Sequence, residues 1–87
     1  MVLPEHLTII EITDWKEKFV SQIQSLSVLE VDVSRLKKID SAGIQLLFAV
    51  RQALQQKGGD ICWVGTSDLL TRNSDWLGMC DALNIAR

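Results

Sequence analysis

The feature that most constrains the fold is the segment at residues 28–47, VLEVDVSRLKKIDSAGIQLL. Its first part, residues 28–33, is short, apolar and rich in β-branched side chains, which predicts a buried strand because the run is too brief for a helix. From Gly43 onward the apolar residues recur at helical spacing, while Gln and Arg occupy the other side. The helix is expected to close at Gly58-Gly59, since glycine accepts the backbone conformation at a helix C-terminus.

The next apolar run, residues 60–64 (DICWV), predicts a second buried strand after the helix. Two strands joined by a helix predict a parallel βαβ unit. Its polar turn, which contains Asp40 and Ser41, is expected at the carboxyl end of the first strand. Sites in open α/β sheets usually lie there.

Strand and helix patterns also precede this unit. Residues 7–10 (LTII) predict a first strand, and Asp14 with Glu17 three positions later resembles a capping box at the start of a helix. The expected inner face of that helix repeats at spacings of three or four and consists of Trp15, Phe19, Ile23 and Leu26.

After the unit, Gly65-Thr66-Ser67 predicts a turn. Ser67 followed by Asp68 predicts the start of a third helix, and Gly78 predicts its end. The expected inner side of the third helix is Leu69, Leu70, Asn73, Trp76 and Leu77. The fold class is therefore α/β: a small mixed, mostly parallel sheet packed with about three helices, in one domain spanning residues 1–87.

Composition narrows the function classes. No apolar run is long enough for a membrane span, and the N-terminus MVLPEH lacks the pattern of a signal peptide, so we expect a cytoplasmic chain without membrane insertion. Cys62 and Cys80 are widely separated and are expected to be reduced, packed thiols. A net charge of −2 argues against nucleic-acid binding.

The local basic cluster is Arg35, Lys37 and Lys38. Two interpretations stay open for it, a solvated connection or a patch that faces an acidic partner or a phosphate, and the first is favoured.

The motifs argue against catalysis. Ser41 lies in IDSAG, which lacks the GxSxG pattern of a nucleophile elbow, and His6, expected in an exposed loop, precedes it in the chain. A metal-ligand cluster and a phosphate-binding loop are both missing from the sequence, so we expect no enzyme activity, no metal and no cofactor.

Helical geometry gathers a second set of residues beside the core stripe of the central helix, namely Ser41, Ile44, Gln45, Phe48 and Gln52. Ile44 and Phe48 are large apolar residues that the core stripe does not explain. They either pack beneath a neighbouring helix or are exposed as anchors for a partner.

The motif IDSAG, preceded by VLEVDVS and followed by IQLL, resembles the STAS domain family, the anti-sigma factor antagonists and their relatives. The order LTII, VLEVDVS, long helix, GGDICWVG and LGM fits that family over most of the chain. Relative to longer members, we expect a shortened first strand and no C-terminal helix. The sequence is most similar to compact bacterial STAS proteins that accompany chemotaxis and two-component signalling, or to STAS subunits of phospholipid-trafficking ABC transporters.

The resemblance implies a non-enzymatic module whose serine after the motif Asp, here Ser41, is phosphorylated by a partner kinase. The expected partner-binding residues are Asp40, Ser41, Ala42, Gly43, Ile44, Gln45 and Phe48. The implied partner is an anti-sigma-type serine kinase or another signalling protein. The alternative is a transporter ATPase subunit that docks on the same surface, with Ser41 only capping the helix.

Overall fold

The computed structural model describes residues 1–65, 67–76 and 78 of the chain. The described elements, in chain order, are β1 (His6–Leu7), α1 (Ile12–Ser25), β2 (Val28–Asp32), β3 (Lys38–Ile39), α2 (Ser41–Gln56), β4 (Asp60–Val64) and α3 (Asp68–Trp76). Helices and short parallel strands form one mixed α/β arrangement, which confirms the predicted fold class.

The strands pair in two small parallel sheets. β2 pairs with β4 from Val28↔Asp60 to Asp32↔Val64, and β1 pairs with β3 through two residues of each strand. The N-terminal segment adds a parallel bridge between Val2 and Asp32, where the Leu3 N–H donates to the Asp32 carbonyl at 2.9 Å. The predicted parallel pairing of the DICWV strand with the VLEVD strand is therefore confirmed.

The crossover between β2 and β4 contains a strand that the sequence did not indicate. β3 consists of Lys38–Ile39 and lies between β2 and α2. The turn with Asp40 thus follows β3, and its predicted position at the end of β2 was wrong. Two residues are too few to show a strand period, so pairing with β1 forms β3 without a local signal.

Helix α2 provides much of the core. Its apolar stripe is buried at Ile44, Leu47, Val50 and Leu54. The predicted C-terminal glycines are confirmed: Gly58 has a φ of 81°, and a side chain on Gly59 would overlap the Ser27 carbonyl at the start of β2. The last turn is closed by the Gly59 N–H, which donates to the Leu54 carbonyl at 2.9 Å.

Helix α1 packs on α2 through Phe19, which is fully buried, with Trp15 and Ile23 half-buried beside it. The expected inner position of Leu26 was wrong, because this residue follows the helix in extended backbone and is exposed. Its carbonyl accepts a hydrogen bond from Lys57 Nζ at 3.1 Å.

The start of α1 also differs from the prediction. Glu11 occupies the N-cap position and Asp14 lies in the first turn of the helix, so Asp14 is not the cap. Residues 8–11 form a turn instead of continuing the first strand, which ends at Leu7. The Thr8 N–H and hydroxyl donate to Glu11 Oε1 at 3.0 and 2.8 Å, an arrangement related to a capping box. His6 is exposed as expected, but it lies in β1 and not in a loop.

Strands β2 and β4 have one buried face. Leu29, Val31 and Ile61 point into the core, whereas Val28 is 57% exposed. The strand at residues 28–33 is therefore less completely buried than predicted. Cys62 is an exposed free thiol, which corrects its expected packing, and Cys80 lies outside the described residues.

The predicted start of α3 is confirmed by Ser67, whose Oγ accepts the Leu70 N–H at 3.1 Å. Leu70 is buried and Leu69 is half-buried, as is Asn73. Gly78 follows α3 with a φ of 69°. The side chain of Trp76 and all of Leu77 lie outside the described residues.

Candidate functional site

The N-terminus of α2 is capped by Asp40 and not by Ser41. The Asp40 backbone is extended, its Oδ1 accepts the Gly43 N–H at 3.0 Å, and its carbonyl accepts the Ile44 N–H at 3.1 Å. Ser41 is the first residue of the helix. The expectation that Ser41 provides the cap was therefore wrong by one position, because Asp and Ser are both good N-cap residues and the sequence places them side by side.

The second carboxylate oxygen of Asp40 connects α2 to another element. Oδ2 accepts the Ile9 N–H at 3.0 Å, although Ile9 is 31 positions away in sequence. Asp40 therefore fixes the turn at residues 8–11, which we call the Ile9 turn, against the N-terminus of α2.

The pKa of the Asp40 carboxyl lies below its usual range. Partial desolvation raises this pKa, but hydrogen bonds from the backbone N–H groups of Ile9, Gly43 and Ala42 lower it further than burial raises it. The side chain is consequently a carboxylate at neutral pH, when it accepts both hydrogen bonds.

The Ser41 side chain is accessible. Ser41 is exposed, and its hydroxyl makes no hydrogen bond with any residue that the structure describes. It lies in the first turn of α2, where backbone N–H groups lack helical partners and the helix dipole is positive. Ala42, the next residue, is half-buried. A modifying enzyme could therefore reach the hydroxyl without unfolding the helix.

Two of the predicted partner-binding residues face the interior. Gly43 is buried, and a Cβ at this position would overlap the Leu7 carbonyl and lie 2.7 Å from Ile39 Cγ1. Ile44 is 0% exposed and belongs to the core, so the packed alternative is confirmed for this residue and the exposed anchor was wrong. Gly43 thus lies against Leu7 of β1 and Ile39 of β3, while Ser41, two residues earlier, is at the surface.

The remaining predicted residues are accessible to different degrees. Gln45 is exposed, one turn after Ser41, and Phe48 is half-buried against the core. Ser41, Gln45 and the accessible part of Phe48 make up what we call the α2 surface. Phe48 thus combines the two alternatives that the sequence left open, since it packs on the core and is also partly accessible.

Sequence reasoning missed Ile9 and Ile10 as surface residues. The strand interpretation of LTII places them in the sheet, but they are 68% and 85% exposed in the Ile9 turn. The signal was present as Thr8 followed three residues later by Glu11, the pattern of a capping box before an amphipathic helix. Because the Ile9 N–H donates to Asp40, the turn that carries these two exposed apolar side chains is hydrogen-bonded to the residue that precedes Ser41.

The basic cluster is more dispersed than the sequence indicates. Arg35, Lys37 and Lys38 are exposed, but Lys38 is in β3 and the Lys37 Nζ lies 3.7 Å from Glu5 Oε1. Such an exposed pair contributes little to stability. The arrangement agrees with the interpretation as a solvated connection.

The described residues contain no group of three or more His, Cys, Asp or Glu side chains arranged to hold a metal ion. None of the helices in this part of the chain has the length and apolar character needed to cross a membrane.

Comparison with known proteins gives one match that covers nearly the whole chain. A family model described as "Mlab, STAS domain" matches residues 2–83. No curated protein matches the chain.

Proposed function

Because this chain belongs to the STAS domain family, we propose that it is a regulatory protein-interaction module that is switched by phosphorylation of Ser41. At the family level, STAS domains are generally non-catalytic and act through protein partners. The observation that carries the proposal is the exposed Ser41 hydroxyl beside an Asp40 cap. Since Asp40 performs the capping, the Ser41 hydroxyl has no structural task in the described part of the chain that phosphorylation would disturb.

The proposed partner is an anti-sigma-type serine kinase or a related signalling protein in a bacterial cytoplasm, in an anti-sigma or chemotaxis-type pathway. The kinase would transfer the γ-phosphoryl group of ATP to Ser41 Oγ, with ADP as the leaving group and the hydroxyl proton passing to the kinase. The product carries a charge of about −1.5 to −2 at neutral pH.

The phosphoryl group would act mainly at the interface. At an exposed helix N-terminus it gains only about 0.3–1 kcal/mol from the helix dipole, and the neighbouring Asp40 carboxylate opposes it. Burying the same charge against an apolar or acidic partner surface costs binding free energy on the order of several kcal/mol. The phosphorylated form should therefore fold like the unmodified form and bind its partner more weakly.

A second candidate is a constitutive subunit that docks on a transporter ATPase through the same surface. The exposed apolar pair Ile9 and Ile10 favours it, because apolar contacts next to the α2 surface would support permanent docking without any modification. In this case Ser41 would be a surface residue with no regulatory role.

Phosphopeptide mass spectrometry of the chain isolated from its native cells tests the proposal. We expect phosphate on Ser41, and its loss in the Ser41→Ala variant. Ser34→Ala is the matched control, since Ser34 is also exposed near an aspartate but donates its hydroxyl to Asp32 Oδ1 at 2.6 Å. A chain that carries no phosphate on Ser41 under any growth condition, yet co-purifies with a transporter ATPase, would favour the second candidate.

A further inference from the structure

Asp40 divides its two carboxylate oxygens between two elements. Oδ1 accepts the Gly43 N–H within α2, and Oδ2 accepts the Ile9 N–H of the Ile9 turn, each at 3.0 Å. The first hydrogen bond belongs to an ordinary helix cap. The second depends on the same negative charge but holds a segment that precedes α1.

The tip of the Ile9 turn has few other restraints. Its base is fixed by Glu11 Oε1, which accepts the Thr8 N–H and hydroxyl, by the Glu11 N–H, which donates to the Thr8 carbonyl at 3.0 Å, and by the buried Thr8 side chain. The side chains of Ile9 and Ile10 are mostly in solvent and make little contact with the core. The Ile10 N–H donates to Thr8 Oγ1 at 3.4 Å, which is a long and therefore weak hydrogen bond. Among the hydrogen bonds of the described residues, the one from the Ile9 N–H to Asp40 ties the tip to α2.

A phosphoryl group on Ser41 would change the surroundings of Asp40 directly. It would place about −1.5 to −2 charges on the residue next to the Asp40 carboxylate, at the same helix N-terminus. Phosphate oxygens are strong acceptors for the N–H groups of a first helical turn, so they would compete with Oδ1 and repel both carboxylate oxygens. The Asp40 side chain can relieve this repulsion by turning away, which breaks its hydrogen bond with Ile9.

We propose that Asp40 is a positioning residue that couples the phosphorylation state of Ser41 to the Ile9 turn. In the unmodified chain, the turn is held beside the α2 surface and presents Ile9 and Ile10 next to Ser41. In the phosphorylated chain, the tip of the turn is released from α2 and this combined surface is lost. The inference rests on the proposed function of Ser41, and it adds a local rearrangement to the charge effect while the rest of the domain stays folded.

The test is amide hydrogen exchange by NMR on the isolated chain, with Ser41 unmodified or replaced by phosphoserine. Phosphoserine should speed exchange of the Ile9 N–H about two- to tenfold, as expected when an exposed N–H loses one hydrogen bond. The Val31 N–H, in the centre of β2, should exchange at an unchanged rate. An Ile9 amide that is equally protected in both forms would overturn the coupling.

Asp40→Asn separates the two tasks of this residue. Asparagine caps helices well through its oxygen, but its amide nitrogen cannot accept the Ile9 N–H. The variant should expose the Ile9 amide and keep the Gly43 amide protected, and phosphoserine at position 41 should then add little further exchange at Ile9. If phosphoserine speeds Ile9 exchange by the same factor in this variant as in the natural chain, Asp40 is not the coupling residue. Should the variant fail to fold, the comparison in the natural chain decides alone.

The result of the exchange experiment does not depend on whether Ser41 is phosphorylated in cells. No partner and no kinase is present in the exchange experiment, so a null result there refutes the coupling and leaves phosphorylation of Ser41 in cells untouched. Conversely, absence of phosphate on Ser41 in cells would refute the proposed function even if the coupling were measured.

Discussion

Replacing Asp40 and Ser41 one at a time should show that the two neighbours have different roles. Asp40→Ala removes the cap on Gly43, which costs about 0.5–2 kcal/mol of unfolding free energy. It also removes the acceptor for Ile9, but that N–H is exposed, so water replaces the acceptor and the added cost is a fraction of the typical net value of about 0.5–1.5 kcal/mol. The total expected loss is about 1–3 kcal/mol.

Ser41→Ala should change the unfolding free energy by about 0.5 kcal/mol or less. The serine side chain is exposed and makes no hydrogen bond with the described residues, while alanine has the better helix propensity. Asp40→Asn should fall between these variants, because asparagine keeps the cap and loses only the hydrogen bond with Ile9.

Urea unfolding followed by circular dichroism measures all three variants against the natural chain. The expected order of destabilisation is Asp40→Ala, then Asp40→Asn, then Ser41→Ala. If Ser41→Ala were the most destabilising of the three, the assignment of the cap to Asp40 would be refuted.

Three further predictions concern the packing of the core and the loss of stability at acidic pH. Gly43→Ala should lower the unfolding free energy by about 1–3 kcal/mol despite the better helix propensity of alanine, since the new Cβ would overlap a carbonyl oxygen of β1; a stabilised variant in urea melts would contradict this packing. Ile44→Ala should cost about 2–5 kcal/mol, while Gln45→Ala on the exposed side should change stability by about 0.5 kcal/mol or less; similar melts for the two would contradict the burial of Ile44. Because the pKa values of Asp40 and Asp60 are lowered in the folded chain, their stabilising contributions are present above the unfolded pKa near 3.8 and should be lost as the pH falls through the lower folded values. Urea midpoints between pH 7 and 2 should show this decline, and it should be smaller in the Asp60→Asn variant, in which the pair with Arg51 at 2.9 Å is broken at every pH.

The elements with long, regular patterns could be predicted from sequence. Helix α2 repeats its apolar residues over four turns and ends at Gln56, just before Gly58-Gly59, so its period and its C-terminus are both encoded locally. The parallel pairing of β2 with β4 also followed from the strand, helix, strand order.

The predictions that were wrong or missing concern elements that are very short, or segments whose sequence suits two different structures. β1 and β3 have two residues each and exist because they pair with one another, which no local period reveals. The apolar residues of LTII favour a strand. The interaction of Thr8 with Glu11 instead forms a turn, so the strand ends at Leu7 and Ile9 is exposed.

At the candidate site, the sequence could indicate the location but not the roles. Asp40 and Ser41 both suit an N-cap, so only the observed hydrogen bond with Gly43 separates them. Helical geometry places Ile44 on the same side as Ser41, yet Ile44 is buried in the core and the serine is exposed. The contact of Asp40 with Ile9 spans 31 positions and depends on the folded chain.

The central claim is that phosphorylation of Ser41 controls binding of a protein partner, and a calorimetric titration tests it most directly. The titrated partner is the proposed kinase or signalling protein, and the compared forms are the natural chain, Ser41→Ala, Ser41→Asp and the phosphoserine form. The natural chain and Ser41→Ala should bind equally, whereas Ser41→Asp and the phosphoserine form should fold normally and bind at least about tenfold more weakly. Equal affinity of all four forms would contradict the switch and leave Ser41 as an ordinary surface residue of a STAS domain.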